Sequence, residues 1–233
     1  MTPFELHAPA SVIAGPGTLT EVERITQYAN LDRIMLCTDE GVAAAGLADR
    51  VHSQLDRAGR NIHIISGIPR EPSVSAVTTA VDEAREFQPT LVVGLGGGSV
   101  MDTAKLMGVL IGGRQTLAEL VEGAAVGPRL VDTLLIPTTA GTGSEATKNA
   151  ILSVPEKESK AGIISPSLLP RFVVLDGELT LSLPPAVTAT TGLDALAHAL
   201  ECYLSTKANE LSDVLAIKAT RLIHRNIRRA FDT

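Results

Sequence analysis

Along the first two-thirds of the chain, short apolar runs alternate with amphipathic segments. Arg33–Cys37 (RIMLC), Ile62–Ile65 (IHII), Thr90–Gly94 (TLVVG) and Thr133–Ile136 (TLLI) predict buried strands. Between them, Gly41–Ala58, Ser73–Phe87 and Ser99–Ile111 carry helical spacing, and Ser73 stands where an N-cap hydroxyl belongs. Parallel strands cannot be joined by tight hairpins, so this alternation predicts an α/β fold: a Rossmann-like parallel sheet with crossover helices, filling residues 1–183. From Leu183 the pattern changes. Pro184-Pro185 closes the α/β part, and Ala186–Ser205 and Glu210–Arg229 then read as helices. Two helices of roughly 40 residues make a poor independent core, so residues 184–233 are expected to be the beginning of an all-helical C-terminal domain.

Charge and cysteine usage narrow the function classes. The 233 residues carry a net charge of -6, which argues against nucleic acid as partner, because phosphate binding needs a concentrated basic surface. The one dense basic run, Arg221 to Arg229, is read as the solvated face of a helix. Cys37 and Cys202 lie far apart in apolar surroundings and suggest neither a disulfide framework nor a thiolate zinc site, so a cytoplasmic location is expected. The N-terminus lacks a basic region followed by a long apolar core, and no apolar stretch approaches membrane-spanning length. A soluble protein with no membrane partner is the expectation, and a homo-oligomer is the expected assembly.

Two loops after strands carry candidate chemistry. In Leu91–Lys105 (LVVGLGGGSVMDTAK) a buried strand runs into Gly96-Gly97-Gly98, then Ser99, then a helix. Glycines permit a sharp turn and close ligand approach, and the bare amides at a helix start favour a phosphate. The spacing is not GxGxxG, so phosphate binding and a merely structural turn both stay open here. Pro137–Glu145 (PTTAGTGSE) follows another strand, and its small hydroxyl residues suit a polar ligand lying across strand ends. Asp39, just past the strand ending at Cys37, could accept hydrogen bonds from an adenosine ribose and repel a 2′-phosphate, or simply cap the next helix; the residues alone leave both roles open.

In Thr188–Ser205 (TATTGLDALAHALECYLS), Asp194 and His198 are four residues apart on one helical face. Their neighbours are apolar, which predicts a buried helix and hence a carboxylate that must be paired or metal-bound. The O/N donor pair suits Fe2+ or Zn2+, although for the isolated pair Asp194 bonding to His198 or to a backbone amide is the simpler account.

GGGSVMDTAK at residues 96–105, IPTTAGTGSEATKNAIL at 136–152 and LPPAVTATTGLDALAHALECYLS at 183–205, in that order, make the chain resemble the iron-containing (group III) alcohol dehydrogenases. The resemblance implies that Gly97, Gly98 and Ser99 hold the cofactor pyrophosphate with Asp102 nearby. It further implies that Thr138, Thr139 and Thr142 line the nucleotide cleft, and that Lys148 and Lys160 contact the cofactor. Asp39 matches the family's adenosine-ribose position, and Asp194 and His198 match two of its metal ligands. The implied cofactors are NAD, with NADP as the other option, and Fe2+, with Zn2+ as the other option. The implied reaction is hydride transfer between a primary alcohol, or its aldehyde, and the nicotinamide. TTAGTGSE is similar to the alcohol dehydrogenase branch rather than to maleylacetate reductases or dehydroquinate synthases, and Val100 replaces a frequent proline. Two further histidine ligands of the family have no match through Thr233, and His224 matches no ligand position, so a non-catalytic nucleotide-binding member is the alternative reading.

Overall fold

A computed structural model describes residues 3–28, 31–56 and 59–232. The strands and helices follow in the order β1 (Ser11–Ala14), α1 (Glu21–Tyr28), β2 (Arg33–Cys37), α2 (Glu40–Ala44), α3 (Leu47–Asp56), β3 (Asn61–Ile65), α4 (Val74–Phe87), β4 (Leu91–Gly96), α5 (Gly98–Leu110), α6 (Leu117–Val121) and β5 (Asp132–Pro137). Then come β6 (Asn149–Val154), β7 (Ser159–Ile164), β8 (Phe172–Leu175), α7 (Pro185–Leu204) and α8 (Glu210–Asp232). Two compact units result: one of His7–Thr138 with Ser144–Leu179, the other including Thr139–Gly143 and the segment from Thr180 onward.

In the larger unit six parallel strands lie in the order β1-β8-β5-β4-β2-β3, and β6 and β7 form a separate antiparallel hairpin. The expected parallel sheet is therefore present, and the apolar runs of β2, β4 and β5 are buried on both faces; the run of β3, also expected to be buried, lies at the sheet edge with Ile64 exposed, because no further strand covers it. Successive side chains point to opposite faces. Ile34 and Leu36 of β2, with Leu91, Val93 and Leu95 of β4 on the same side, meet α1 and α3, while Met35, Cys37 and Val92 meet α4 and α5.

Chain direction sets the location of a ligand site. From β2 the chain moves outward to β3, then returns past β2 to β4 and continues away through β5. The order reverses between β2 and β4, and ligands of open α/β sheets bind at the carboxyl ends of strands at such a switch point. Asp39 and the Gly96–Gly98 turn stand at those two ends.

Local chemistry explains most element ends. Ser73 caps α4 by accepting from the Ala76 amide at 3.2 Å, as its position predicts. The helix expected over Gly41–Ala58 is two helices, because Gly46 at φ +72° breaks it in a left-handed conformation that costs glycine little; its last two residues lie outside the described ones. Among the described residues no helix is long and apolar enough to cross a membrane.

In the smaller unit α7 packs along α8, with Gly192 facing Ile227 so closely that an added Cβ would come within 2.9 Å of Ile227 Cδ1. The expected burial of α7 does not hold: Ala199 is its one buried residue, and Leu193, Leu200 and Leu204 are exposed. α8 covers one face of an apolar cylinder and leaves the others open. The basic run from Arg221 to Arg229 is exposed on α8, as a solvated face should be.

Candidate functional site

The turn after β4 is built by close packing beneath it. A Cβ on Gly94 would come within 2.9 Å of both Ala104 Cβ and Leu135 Cδ2, so α5 lies directly on the sheet. At Gly96 a Cβ would come within 2.8 Å of Val100 Cγ2 and 3.3 Å of the Asp39 carboxylate. Only glycine fits there. Gly97 is the N-cap of α5 and has no side chain with which to satisfy the first-turn amides. Those amides have no acceptor within the helix, and the helix dipole adds positive potential where they point. Gly97, Gly98 and Ser99 are partly exposed although β4 and the body of α5 are buried. The arrangement is a cradle of backbone donors that an anionic diphosphate fits.

Asp39 stands beside this cradle. Its Oδ1 accepts from the Val42 amide at 2.9 Å and so caps α2, while its Oδ2 faces Gly96, 3.3 Å from where a Cβ would stand. One carboxylate thus serves as cap and still presents its second oxygen at the switch point, so the two roles weighed from the residues do not exclude each other. Thr138 is buried at the end of β5, its amide donating to the Gly96 carbonyl at 3.1 Å, which ties the start of the threonine loop to the glycine turn. Lys148 is half-buried, and its carbonyl accepts from the Ser165 amide at 3.0 Å.

Asp102 is buried one turn into α5, and both its oxygens are taken by the protein. Oδ1 accepts from the Ser144 hydroxyl and pairs with Lys105 Nζ at 2.9 Å, and Oδ2 accepts from the Ile151 amide at 2.9 Å. Lys105 also donates to the carbonyls of Ser144, at 2.9 Å, and Asn149. Burial lowers the Lys105 amine from its ordinary value, with Asp102 opposing the shift, and burial raises the Glu145 carboxyl nearby. This network fastens the end of the threonine loop and the start of β6 onto α5. Lys105, Glu145 and Glu71 were not among the residues singled out from the sequence, although an Asp–Lys pair three apart inside an apolar helix was a visible signal.

Lys160, on the β6–β7 hairpin, pairs with Glu71 at 2.7 Å. The Glu71 amide in turn donates to Ser99 Oγ at 3.2 Å. The hairpin, the loop before α4 and the first turn of α5 therefore meet at one place.

In the smaller unit, Thr139 and Thr142 lie on the Thr139–Gly143 segment. Gly141 sits so close to α7 that an added Cβ would be 2.6 Å from the Thr191 carbonyl oxygen. Thr139 Oγ1 is a buried hydroxyl without a hydrogen-bond partner. Asp194 Oδ1 and His198 Nε2 are 3.8 Å apart, and the two side chains are 46% and 54% exposed. Burial therefore does not force a metal onto Asp194. The spacing nevertheless fits one: two bonds of about 2.1 Å let a single ion reach donors up to roughly 4.2 Å apart. Oxygen and imidazole nitrogen together suit Fe2+ or Zn2+. Among the described residues no group of three or more His, Cys, Asp or Glu is placed to hold an ion, so the pair is at most part of a ligand set. A cavity of about 670 Å³ between α7 and α8 is lined by Leu183, Ala195, Leu222, Ile227 and Phe231 among others, and neither Asp194 nor His198 faces it.

The model of the iron-containing alcohol dehydrogenase family matches residues 9–177, and that of the Fe-containing alcohol dehydrogenase family, C-terminal, matches residues 188–233. The chain is 38% identical over 221 residues to long-chain-alcohol dehydrogenase 1 of Geobacillus thermodenitrificans, covering 93% of this chain and 55% of that protein. It is 32% identical over 228 residues to sulfoacetaldehyde reductase of Bilophila wadsworthia, covering 98% and 59%. It thus spans between half and three-fifths of the length of these relatives. A 1,3-propanediol oxidoreductase structure superposes with a TM-score of 0.93 at 33% identity, over 99% of this chain and 60% of that one. The sulfoacetaldehyde reductase of Bifidobacterium kashiwanohense in complex with NAD+ also reaches 0.93, at 27% identity, over 100% and 61%. With glycine cradle, threonine loop and Asp/His helix in the matched segments, the chain belongs to the iron-containing alcohol dehydrogenase family.

Proposed function

We propose that the whole protein moves a hydride between a primary alcohol, or its aldehyde, and NAD(P), using a divalent metal held in part by Asp194 and His198. The observation carrying this reading is the cradle at the switch point, where the bare amides of Gly97–Ser99 lie beside the free side of the Asp39 carboxylate. Residues 1–183 are read as the dinucleotide-binding domain and 184–233 as the start of the helical metal-binding domain. The two free thiols are in keeping with a cytoplasmic setting, and a homo-oligomeric assembly belongs to the same proposal.

In this reading the first turn of α5 binds the diphosphate, and Ser99 and Lys160 flank it. Asp39 Oδ2 accepts from the adenosine ribose and disfavours a 2′-phosphate, which selects NAD over NADP. Asp102 acts from beneath, fixing the approach of the threonine loop instead of touching the cofactor. Thr138 holds the loop to the glycine turn, Thr139 offers its unpartnered hydroxyl, and Thr142 and Lys148 border the nucleotide. When bound, the metal supplies Lewis acidity toward the alcohol oxygen and the nicotinamide supplies the hydride acceptor, so the chain needs no side-chain nucleophile.

Asp194→Ala in the whole protein tests the assignment. Metal content by elemental analysis should fall to background while the NAD+ dissociation constant stays within about twofold (under roughly 0.5 kcal/mol). Normal metal content in that variant would refute the ligand role. Nucleotide binding without turnover is the second reading; a metal-loaded, anaerobically purified protein that binds NAD+ but oxidises no member of an alcohol panel would establish it.

A further inference from the structure

Glu71 has an unusual conformation and an unusual position. Its φ is +53°, the left-handed region that non-glycine residues rarely enter, and it precedes Pro72, which normally pushes the preceding residue into extended backbone. The surroundings hold it there. Its amide donates to Ser99 Oγ at 3.2 Å, so the residue is pinned to the first turn of α5. Its carboxylate points at Lys160, with Oε1 and Nζ 2.7 Å apart. Lys160 is fixed from the other side: it pairs in register with Ser153 across the hairpin, and the Ser153 amide donates to the Pro72 carbonyl at 3.0 Å. Most exposed ion pairs lose much of their attraction to the cost of ordering two long side chains. Here both backbones are tied to the same short segment, which keeps the two side chains within reach of each other.

We propose that Glu71 is the resident counter-anion of Lys160, displaced when the diphosphate of the dinucleotide docks on the first turn of α5, and that it thereby sets the protein's affinity for cofactor. The inference rests on the cofactor placement proposed above. A carboxylate held beside a helix start already occupies the lysine that the diphosphate would use. Binding then exchanges one ion pair for another, so cofactor is held less tightly than the cradle alone would allow. Product release benefits from the same exchange, because the carboxylate is at hand to recapture Lys160 as the diphosphate leaves.

The test is NAD+ binding by calorimetry on the whole protein, using Glu71→Gln, Lys160→Met and the double variant. Glutamine keeps the size and the backbone bond to Ser99 but removes the charge. Glu71→Gln should tighten NAD+ binding by about two- to fivefold at low salt, the range for an exposed pair, and the gain should shrink toward nothing near 0.5 M salt, where the screening length falls to a few ångströms. Lys160→Met should weaken binding, and in that background Glu71→Gln should change nothing. An equal gain in both backgrounds would mean general repulsion and overturn the proposal. Unchanged binding in Glu71→Gln with weakened binding in Lys160→Met would overturn it too, while leaving the cofactor placement standing. Native affinity in Lys160→Met would remove Lys160 from the cofactor site and the proposal with it.

Discussion

Lys105 offers the sharpest quantitative test of how the threonine loop is held against α5. Its side chain is fully buried, and Nζ is surrounded by Asp102 Oδ1 at 2.9 Å, the Ser144 carbonyl at 2.9 Å and the Asn149 carbonyl. Lys105→Met keeps the length and apolar stem but removes the charge and its donors. Removing one partner of a buried ion pair costs about 3–5 kcal/mol. Asp102 retains the Ile151 amide and the Ser144 hydroxyl, which places its share near the lower end, about 3 kcal/mol. The two carbonyls left without Lys105 add roughly 1 kcal/mol between them after relaxation. The expected loss is about 4 kcal/mol, or roughly 8–16 °C in Tm for a chain of this size. Urea unfolding of the native protein and of Lys105→Met, Asp102→Asn and the double variant measures it. Asparagine still accepts from Ile151, so the double variant should lose less than the sum of the single ones. A loss below about 1 kcal/mol, or strict additivity, would refute the view that this pair is a dry clamp beneath the cofactor loops.

Three further outcomes follow from named contacts. Gly96→Ala drives a Cβ to within 2.8 Å of Val100 Cγ2; it should cost about 1–3 kcal/mol of stability and weaken NAD+ binding at least about tenfold, and native behaviour in both assays would mean that the turn tolerates a side chain. Ser73→Ala removes the cap of α4 and should cost about 1 kcal/mol, read as a Tm drop of about 2–4 °C; no change would mean that solvent replaces the hydroxyl. Burial raises the Glu145 carboxyl above its ordinary 4.5, so the stability supplied by its neutral form is full below that pH and is lost as pH rises through the folded value. Glu145→Gln should therefore match the native protein in acid and exceed it in Tm at neutral pH, and parallel stability profiles would show that the carboxyl is solvated.

Much of this architecture was legible in the residues. β2, β4 and β5 are central strands buried on both faces, and such strands write themselves as unbroken apolar runs. β1 and β8 have four residues each, too short to carry a period, and they acquire meaning only by pairing with each other across the whole unit. The β6–β7 hairpin was missed because Ile151 and Ile164 are exposed at positions where alternation demands polar residues. The candidate residues on the chain's own turns, Asp39, Gly97, Gly98 and Ser99, stand out from local order, although their cofactor roles come from the family resemblance. Glu71 could not be placed, because its partner Lys160 lies 89 residues away, and Lys105 showed only its near partner Asp102 while Ser144 and Asn149 lie 39 and 44 residues away. Helix α7 misled for a related reason: apolar composition states what a surface requires, whereas burial depends on what is there to cover it.

The pairing of β1 with β8 has a consequence in time. Val12 and Ile13 can enter the sheet only after Val173 and Val174 exist, and the Gly17 and Leu19 amides wait for the Asp176 carboxylate, 159 and 157 residues later. At a synthesis rate of about 5–20 residues per second, roughly 8–30 s separate the two halves of that contact on the ribosome. Throughout the interval β2 to β5 can assemble while the leading strand stays a loose apolar tether. Growth of this sheet therefore ends with the segment that was made first, and a pause in translation before β8 would lengthen the period in which that tether is open to chaperones or to a neighbouring chain.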